Sequence, residues 1–128
     1  MDAHNQRAIA VVDDDEAVRD SLLALLEAFA LTARGYPSAE AFLDALDDED
    51  AGCLILDLHM PGMSGLELLK IIRARNFVLP VIVLTGRGDD HLDERCRRAG
   101  ADIFLHKPVD DETLLDCLYR FTRPSARA

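Results

Sequence analysis

The chain has 128 residues, 49% hydrophobic and 30% charged, a balance that predicts one globular domain with a buried core and excludes a second domain. The net charge of -10 repels phosphate backbones, so we expect no direct binding of nucleic acid. No apolar run approaches the roughly 20 residues that span a bilayer, and the N-terminus lacks the apolar core of a signal peptide. We therefore expect a cytoplasmic protein without membrane contact.

The first part of the chain predicts two strands, each followed by a helix. Residues 8–12 are an apolar run of strand length without polar alternation, typical of a strand buried on both faces. The next segment has an apolar stripe of helical period, formed by Val18, Leu22, Leu25, Leu26 and Phe29. Residues 32–36 contain Gly35 and are a weaker strand, which we place at a sheet edge. Ser38 then marks a second helix, with a stripe of Ala39, Phe42, Leu43 and Leu46.

The rest of the chain predicts three further strands and three further helices. The strands are apolar runs at residues 53–56, 81–84 and 103–105. Ser64, with Glu67 three residues later, is a capping box that opens the third helix. We expect a fourth helix at 89–99 and a fifth capped by Asp110, whose inward residues are Leu114, Cys117, Leu118 and Phe121. Five such βα units predict an α/β fold with a doubly wound parallel sheet.

The domain bounds, the second acidic run and the cysteines indicate no further functional site. We expect residues 1–128 to be a single domain with its core at 8–121 and a frayed tail or linker stump at 122–128. The acidic run at residues 47–50 is expected to be solvated. Cys53, Cys96 and Cys117 are widely spaced and odd in number, which predicts reduced thiols rather than a disulfide framework or a metal site.

Polar residues stand where the predicted strands end, which is where ligands bind in doubly wound folds. They are Asp13, Asp14 and Asp15 after the first strand, Asp57 after the third, Thr85 after the fourth and Lys107 after the fifth. Converging carboxylates repel one another unless a hard divalent cation lies among them, and Mg²⁺ prefers such oxygen ligands. A lysine and a hydroxyl can contact phosphoryl oxygens, so the set predicts a Mg²⁺-dependent phosphoryl-transfer site.

Four segments resemble the signature segments of response-regulator receiver domains. They are VVDDDEAVR, LILDLHMPGMSG, VIVLTGRG and FLHKPV, and the resemblance runs from Ile9 to Phe121. It implies a five-stranded, flavodoxin-like (βα)5 fold. It also implies that Asp57 accepts a phosphoryl group from the phosphohistidine of a sensor histidine kinase or a histidine phosphotransfer protein. Such a domain catalyses only its own phosphorylation and dephosphorylation and is not an enzyme acting on other substrates.

The same resemblance assigns the metal ligands. It implies that Mg²⁺ is bound by Asp14 directly, by Asp13 through water, by Asp57, and by the backbone carbonyl of His59. The imidazole of His59 is not implied as a ligand. Asp15 is left to cap the first helix, although the alternative pair of Asp14 and Asp15 stays open.

Further roles follow from the resemblance alone. Thr85 and Lys107 are implied to contact the bound phosphoryl group, and Phe104 to change rotamer as Thr85 moves. A plain core role for Phe104 is the alternative. His59 and Arg87, each two residues after a site residue, are implied to tune the lifetime of the phosphoryl group. Lys107-Pro108 resembles the family's cis peptide, and the small Gly86 leaves the site open to a bulky donor.

The fourth helix is expected to move. Its apolar stripe consists only of Leu92, Cys96 and Ala99, which predicts weak anchoring. We expect the fourth helix, fifth strand and fifth helix to form the output face, with a phosphorylation-dependent homodimer as one form of output. The segments look most like the FixJ-type branch, whose members commonly carry a C-terminal helix-turn-helix domain, but we favour a stand-alone regulator over an excised receiver.

Two other functions stay open at this point. Asp13-Asp14-Asp15 contains the D-x-D of haloacid-dehalogenase-type phosphatases, which would make Asp13 the nucleophile and leave Asp57 unexplained. A receiver-like interaction module that never takes phosphate is the second alternative. Loss of a site residue would favour such a module, yet all the expected site side chains are present.

Overall fold

The computed structural model describes residues 8–47, 51–86 and 90–122, in which five strands alternate with five helices. The strands are β1 (Ala8–Val12), β2 (Ala33–Tyr36), β3 (Ala51–Asp57), β4 (Val81–Thr85) and β5 (Ile103–His106). The helices are α1 (Glu16–Ala28), α2 (Ala39–Leu46), α3 (Gly65–Ala74), α4 (Asp90–Ala99) and α5 (Asp111–Thr122). Residues 48–50 of the acidic run and 123–128 of the tail lie outside the described residues. Every described helix is too short or too polar to cross a bilayer.

The five strands form one parallel sheet in the order β2-β1-β3-β4-β5. The chain runs outward from β1 to β2, crosses back to β3 and then continues outward to β4 and β5. The direction of winding therefore reverses between β1 and β3, where such folds open a ligand crevice at the strand carboxyl ends. The predicted doubly wound sheet is confirmed, with the weak second strand at an edge.

The core consists of two apolar layers, one on each face of the sheet. Alternate residues along each strand point to opposite faces, so Leu54 and Leu56 lie in one layer and Cys53 and Ile55 in the other. Residues of α2, α3 and α4 complete the first layer, and residues of α1 and α5 complete the second. Burial on both faces explains why the strands show no polar alternation.

The side chains expected to start helices do so. Asp15 accepts hydrogen bonds from the backbone N–H groups of Ala17 and Val18 at 2.9 and 3.2 Å. Further caps are Ser38 for α2, the reciprocal pair of Ser64 and Glu67 for α3, and Asp110, which accepts from the N–H of Thr113 before α5. These caps satisfy N–H groups that have no partner within the helix.

Phe29 is a correction to the predicted stripe of α1. The helix ends at Ala28, and Phe29 is the C-cap residue, 49% exposed. Ala30 then takes a positive φ of 62°, and the N–H groups of Ala30 and Leu31 return to the carbonyls of Glu27 and Leu26 at 2.9 Å each. This Schellman arrangement turns the chain out of the helical path. The prediction was wrong because no glycine marks the end of the helix.

Candidate functional site

Three adjacent strands carry the buried polar residues of the described chain at their carboxyl ends. Asp13 follows β1, Asp57 ends β3 and Thr85 ends β4, with exposed fractions of 2%, 7% and 0%. Asp14 lies beside Asp13 and is exposed. One carboxylate oxygen from each of Asp13, Asp14 and Asp57 lies within 4.8 Å of the others. The fold therefore brings three of the predicted carboxylates together at the reversal in strand order.

Lys107 reaches between two of these carboxylates. Its Nζ lies 3.7 Å from Oδ2 of Asp13 and 3.6 Å from Oδ1 of Asp57. Its backbone N–H donates to the carbonyl oxygen of Thr85 at 2.7 Å. The peptide bond to Pro108 is cis, as the resemblance implied. The lysine therefore lies against the acidic cluster while its backbone is joined to the neighbouring strand.

The charges of the site are only partly compensated. Burial raises the pKa of Asp57 above its ordinary value, Lys107 lowers it, Asp13 raises it again, and the His59 backbone N–H lowers it by a hydrogen bond. The net direction is upward, so the ionised carboxylate is disfavoured where it lies. Three carboxylates cluster here, and Lys107 lies beside two of them, Asp13 and Asp57. A hard divalent cation with oxygen ligands fits this donor set.

Thr85 and Phe104 lie on the adjacent strands β4 and β5. Thr85 is fully buried and pairs in the sheet with His106, while Phe104 pairs with Val83. The Phe104 ring is partly buried against the layer of α2, α3 and α4, and its centroid lies 5.3 Å from that of His106. Phe104 thus lies at the margin of the core, within the strand that leads to Lys107.

His59 and Arg87 are the two residues expected to tune the lifetime of the phosphoryl group. His59 is exposed at the rim, directly after the buried Leu58. Arg87 lies outside the described residues. Gly86, just before it, is exposed, and a Cβ placed there would meet no heavy atom within 4 Å. The described residues therefore leave free space beside Gly86.

The turn after Asp57 is tightly packed against the site. Gly62 has a φ of +77°, a conformation that favours glycine. A Cβ at Gly65 would lie 2.5 Å from the carbonyl oxygen of Asp57 and 2.9 Å from Cα of Leu58. The Gly65 N–H also donates to the carbonyl of Leu58 at 3.2 Å. The first residue of α3 therefore lies directly against the backbone that presents Asp57.

We predict that Gly65→Ala lowers the free energy of unfolding by about 1–3 kcal/mol, because the added methyl forces a backbone shift in a packed region. Urea unfolding of wild type and variant measures the difference. Gly86→Ala is the matched control, since a Cβ there meets no atom within 4 Å, and it should change stability by less than about 0.5 kcal/mol. Equal stability of the two variants would contradict the close approach.

Two contacts of this region could not be predicted from the sequence. Arg19 donates from Nη1 to the backbone carbonyl of Asp13 at 2.7 Å. His106 Nε2 lies 3.4 Å from Oδ2 of Asp93, which joins β5 to α4. The other carboxylate oxygen of Asp93 is buried and has no hydrogen-bond partner in the described part of the chain. Neither contact has a local signal, because each depends on how a helix packs beside the sheet.

Comparison with known families adds to this geometry. The model of the response regulator receiver domain matches residues 9–119, which is most of the chain. The chain belongs to the response-regulator receiver family. The predicted family is confirmed, and the haloacid-dehalogenase alternative is not supported. The domain is a receiver of two-component signalling.

Curated relatives of this receiver include transcriptional regulators. It is 49% identical over 107 residues to the transcriptional regulatory protein FixJ of Azorhizobium caulinodans, covering 84% of this chain and 51% of that protein. It is 40% identical to the transcriptional regulatory protein TdiR of Thauera aromatica, covering 89% of this chain and 50% of the relative. The receiver thus spans about half the length of these relatives.

Solved structures show the same fold. The crystal structure of FixJ-N matches with a TM-score of 0.85 at 37% identity, covering 91% of this receiver and 93% of that chain. The BeF3-activated DrrB receiver domain matches with a TM-score of 0.82 at 31% identity, covering 93% and 99% of the two chains. Together with the sequence relatives, these matches confirm the predicted FixJ-like branch.

Proposed function

We propose that this receiver takes a phosphoryl group onto Asp57 from the phosphohistidine of a sensor histidine kinase or a histidine phosphotransfer protein, with Mg²⁺ as cofactor. The observation that carries the proposal is the convergence of three carboxylates and Lys107 where the strand order reverses. The free space that the described residues leave beside Gly86 supports entry of a bulky donor. An inert interaction module would not need the two buried carboxylates of Asp13 and Asp57, which are costly to desolvate.

The metal would be held by residues of two strand ends. Asp14, Asp57 and the backbone carbonyl of His59 are the proposed direct ligands, with Asp13 acting through water. When bound, Mg²⁺ supplies positive charge that offsets the carboxylates and the oxygens of the incoming phosphoryl group. Asp15 is left out of this set because its carboxylate already caps α1.

Asp57 is the proposed nucleophile. A carboxylate oxygen of Asp57 forms a bond to phosphorus while the bond from phosphorus to the donor imidazole nitrogen breaks. The electron pair of that bond goes to the nitrogen, and the imidazole leaves as the neutral ring if its other nitrogen carries a proton. The raised pKa of Asp57 reflects burial and the nearby Asp13 carboxylate, which disfavour the ionised form, and a bound cation would offset that cost.

Lys107 and Thr85 are the proposed contacts of the transferred group. The ammonium of Lys107 can exchange the Asp57 carboxylate for a phosphoryl oxygen, and the Thr85 hydroxyl can donate to another. Since the Lys107 N–H bonds to the Thr85 carbonyl at 2.7 Å, movement of one backbone segment acts on the other. Phe104, in the strand that leads to Lys107, would change rotamer with this shift.

The proposed output face is formed by α4, β5 and α5. On α4, Cys96 is buried, whereas Leu92 and Ala99 are only partly so. His106 joins α4 to β5 through Asp93, one residue before Lys107. A shift at the site can therefore reach α4 and favour a homodimer through this face. Hydrolysis of the acyl phosphate resets the domain, at a rate tuned by His59 and Arg87.

Labelling with a small phosphodonor tests the proposal. With Mg²⁺ and acetyl phosphate, wild type should gain one phosphoryl group, located on Asp57 by peptide mass spectrometry. Asp57→Asn should gain none, because the amide cannot act as the nucleophile. Chelation of Mg²⁺ should abolish labelling of the wild type.

Asp44→Asn, which neutralises an exposed carboxylate on α2, is the control and should label like wild type. Label on Asp13 in the wild type, or no label at all, would overturn the proposal. Hydrogen exchange of the labelled sample should become faster in α4. Unchanged exchange there would count against the output face and not against the transfer itself.

A further inference from the structure

One side chain of α1 is directed at the acidic cluster without belonging to it. Arg19 is partly buried and donates from Nη1 to the backbone carbonyl oxygen of Asp13 at 2.7 Å. A hydrogen bond from a charged guanidinium at this length is among the stronger ones in proteins. That carbonyl belongs to the peptide group between Asp13 and Asp14, so the contact sets the orientation of the backbone that carries both carboxylates.

Gly35 makes room for this arginine. A Cβ at Gly35 would lie 3.0 Å from Cδ and 3.1 Å from Cγ of Arg19, and 2.9 Å from Cδ1 of Leu23. The arginine stem therefore crosses β2 where that strand has no side chain. Glycine weakens a strand interior and commonly marks the close approach of another group. Here the group that approaches is Arg19.

The other contacts of Asp13 leave one side of its backbone to Arg19. The Asp13 N–H donates to the carbonyl of Tyr36 at 3.2 Å, which fixes it to β2. Its Oδ1 accepts from the N–H of Asp15 at 2.9 Å. Its Oδ2 lies 3.7 Å from Nζ of Lys107, and its backbone carbonyl oxygen accepts from Nη1 of Arg19 at 2.7 Å. Loss of the guanidinium would free the Asp13–Asp14 peptide to rotate.

We propose that Arg19 is a positioning residue, which orients the Asp13–Asp14 peptide so that both carboxylates face the cation, without itself touching the cation. The inference rests on the proposed Mg²⁺ site. It also predicts a change in Mg²⁺ affinity opposite in sign to the change that loss of the positive charge alone would cause. Removing a positive charge near a cation site should strengthen cation binding, whereas loss of a positioning contact should weaken it.

Isothermal titration of the whole chain with Mg²⁺ distinguishes the two effects. Arg19→Met should raise the Kd for Mg²⁺ about tenfold, the lower end of what loss of an outer-sphere contact causes. Arg34→Met removes an equal charge from exposed Arg34 on β2 and should change the Kd less than about twofold. Arg19→Lys keeps a donor of the same charge and should recover most of the affinity.

Thermal unfolding without Mg²⁺ should show that all variants are folded before titration. A wild-type or tighter Kd in Arg19→Met would overturn this inference alone. The same holds if Arg34→Met weakens binding as much as Arg19→Met, because the effect would then follow charge and not position. If wild type itself binds no Mg²⁺, the proposed function and this inference fail together.

Discussion

Asp57→Asn is expected to make the metal-free domain more stable while removing its ability to accept a phosphoryl group. In the wild type, burial and the nearby Asp13 carboxylate act against ionised Asp57, and Lys107, at 3.6 Å, compensates only in part. An amide of the same shape carries no charge to desolvate. We expect a gain of about 1–3 kcal/mol in the free energy of unfolding, the range for relieving an inadequately paired buried group.

The stability gained by Asp57→Asn should be larger near neutral pH than at acidic pH. Because the folded-state pKa of Asp57 is raised, the folded protein binds this proton more tightly than the unfolded chain does. The ionisation penalty is therefore absent below the unfolded pKa and fully present above the folded pKa. The advantage of Asp57→Asn should shrink as pH falls through the raised pKa and return toward neutral pH.

Mg²⁺ should reverse the order of stability. A ligand that binds only the folded state stabilises it by mass action, so Mg²⁺ should raise the melting temperature of wild type and leave Asp57→Asn almost unchanged. Urea unfolding at several pH values, with and without Mg²⁺, measures both effects. Asp44→Asn should show neither effect. If Asp57→Asn were less stable than wild type in the presence of chelator, ionised Asp57 would not be destabilising the folded domain.

Arg73→Leu is expected to lower the free energy of unfolding by about 2–4 kcal/mol. The substitution removes several hydrogen bonds at once, and each has a net contribution of about 0.5–1.5 kcal/mol. Its Nη1 donates to the carbonyls of Phe77 and Leu79 at 2.9 and 2.7 Å, and its Nη2 donates to that of Gly100 at 2.7 Å. Its Nε also donates to the carbonyl of Gly100 at 3.3 Å, and its Nη2 forms an ion pair with Asp102 at 3.2 Å. One side chain thus joins the end of α3 to the segments that lead into β4 and β5.

This cluster lies at the amino ends of the strands, opposite the acidic site. Arg73→Leu should therefore leave the Mg²⁺ affinity and the labelling of the folded protein at wild-type levels. Arg75→Leu, at the exposed C-cap of the same helix, is the control and should change stability by less than about 0.5 kcal/mol. If Arg73→Leu also changed the free energy of unfolding by less than about 0.5 kcal/mol, the carbonyls would have found other partners.

Most elements of the fold could be predicted from residues close together in the chain. The unbroken apolar runs of β1, β3 and β4 require burial on both faces, and that condition is visible without knowing the neighbouring strands. Caps such as Asp15 and Ser64 bond within three residues, so their chemistry is local. The site residues could be proposed because every carboxyl end of a parallel sheet lies at one edge.

Other features depended on packing between distant segments. Phe29 continues the helical period in the sequence but is exposed in the structure. The helix ends before it because Ala30 adopts a left-handed conformation, which an alanine does not indicate in the sequence. Arg73 is 27 residues from Gly100 in the chain, and nothing near either residue indicates the contact. The same holds for His106 and Asp93, which meet only because α4 packs beside β5.

The sequence by itself determined the parallel α/β fold, the edge that carries the chemistry and the identity of the acidic residues there. Apolar period and the residues that follow each strand are local features of the chain. The tertiary structure decided how those carboxylates are held: Lys107 against Asp13 and Asp57, and Arg19 over Gly35 on the Asp13 backbone. Distances of this kind depend on how helices pack on the sheet, and side chains far apart in the chain acquire them only when the fold forms.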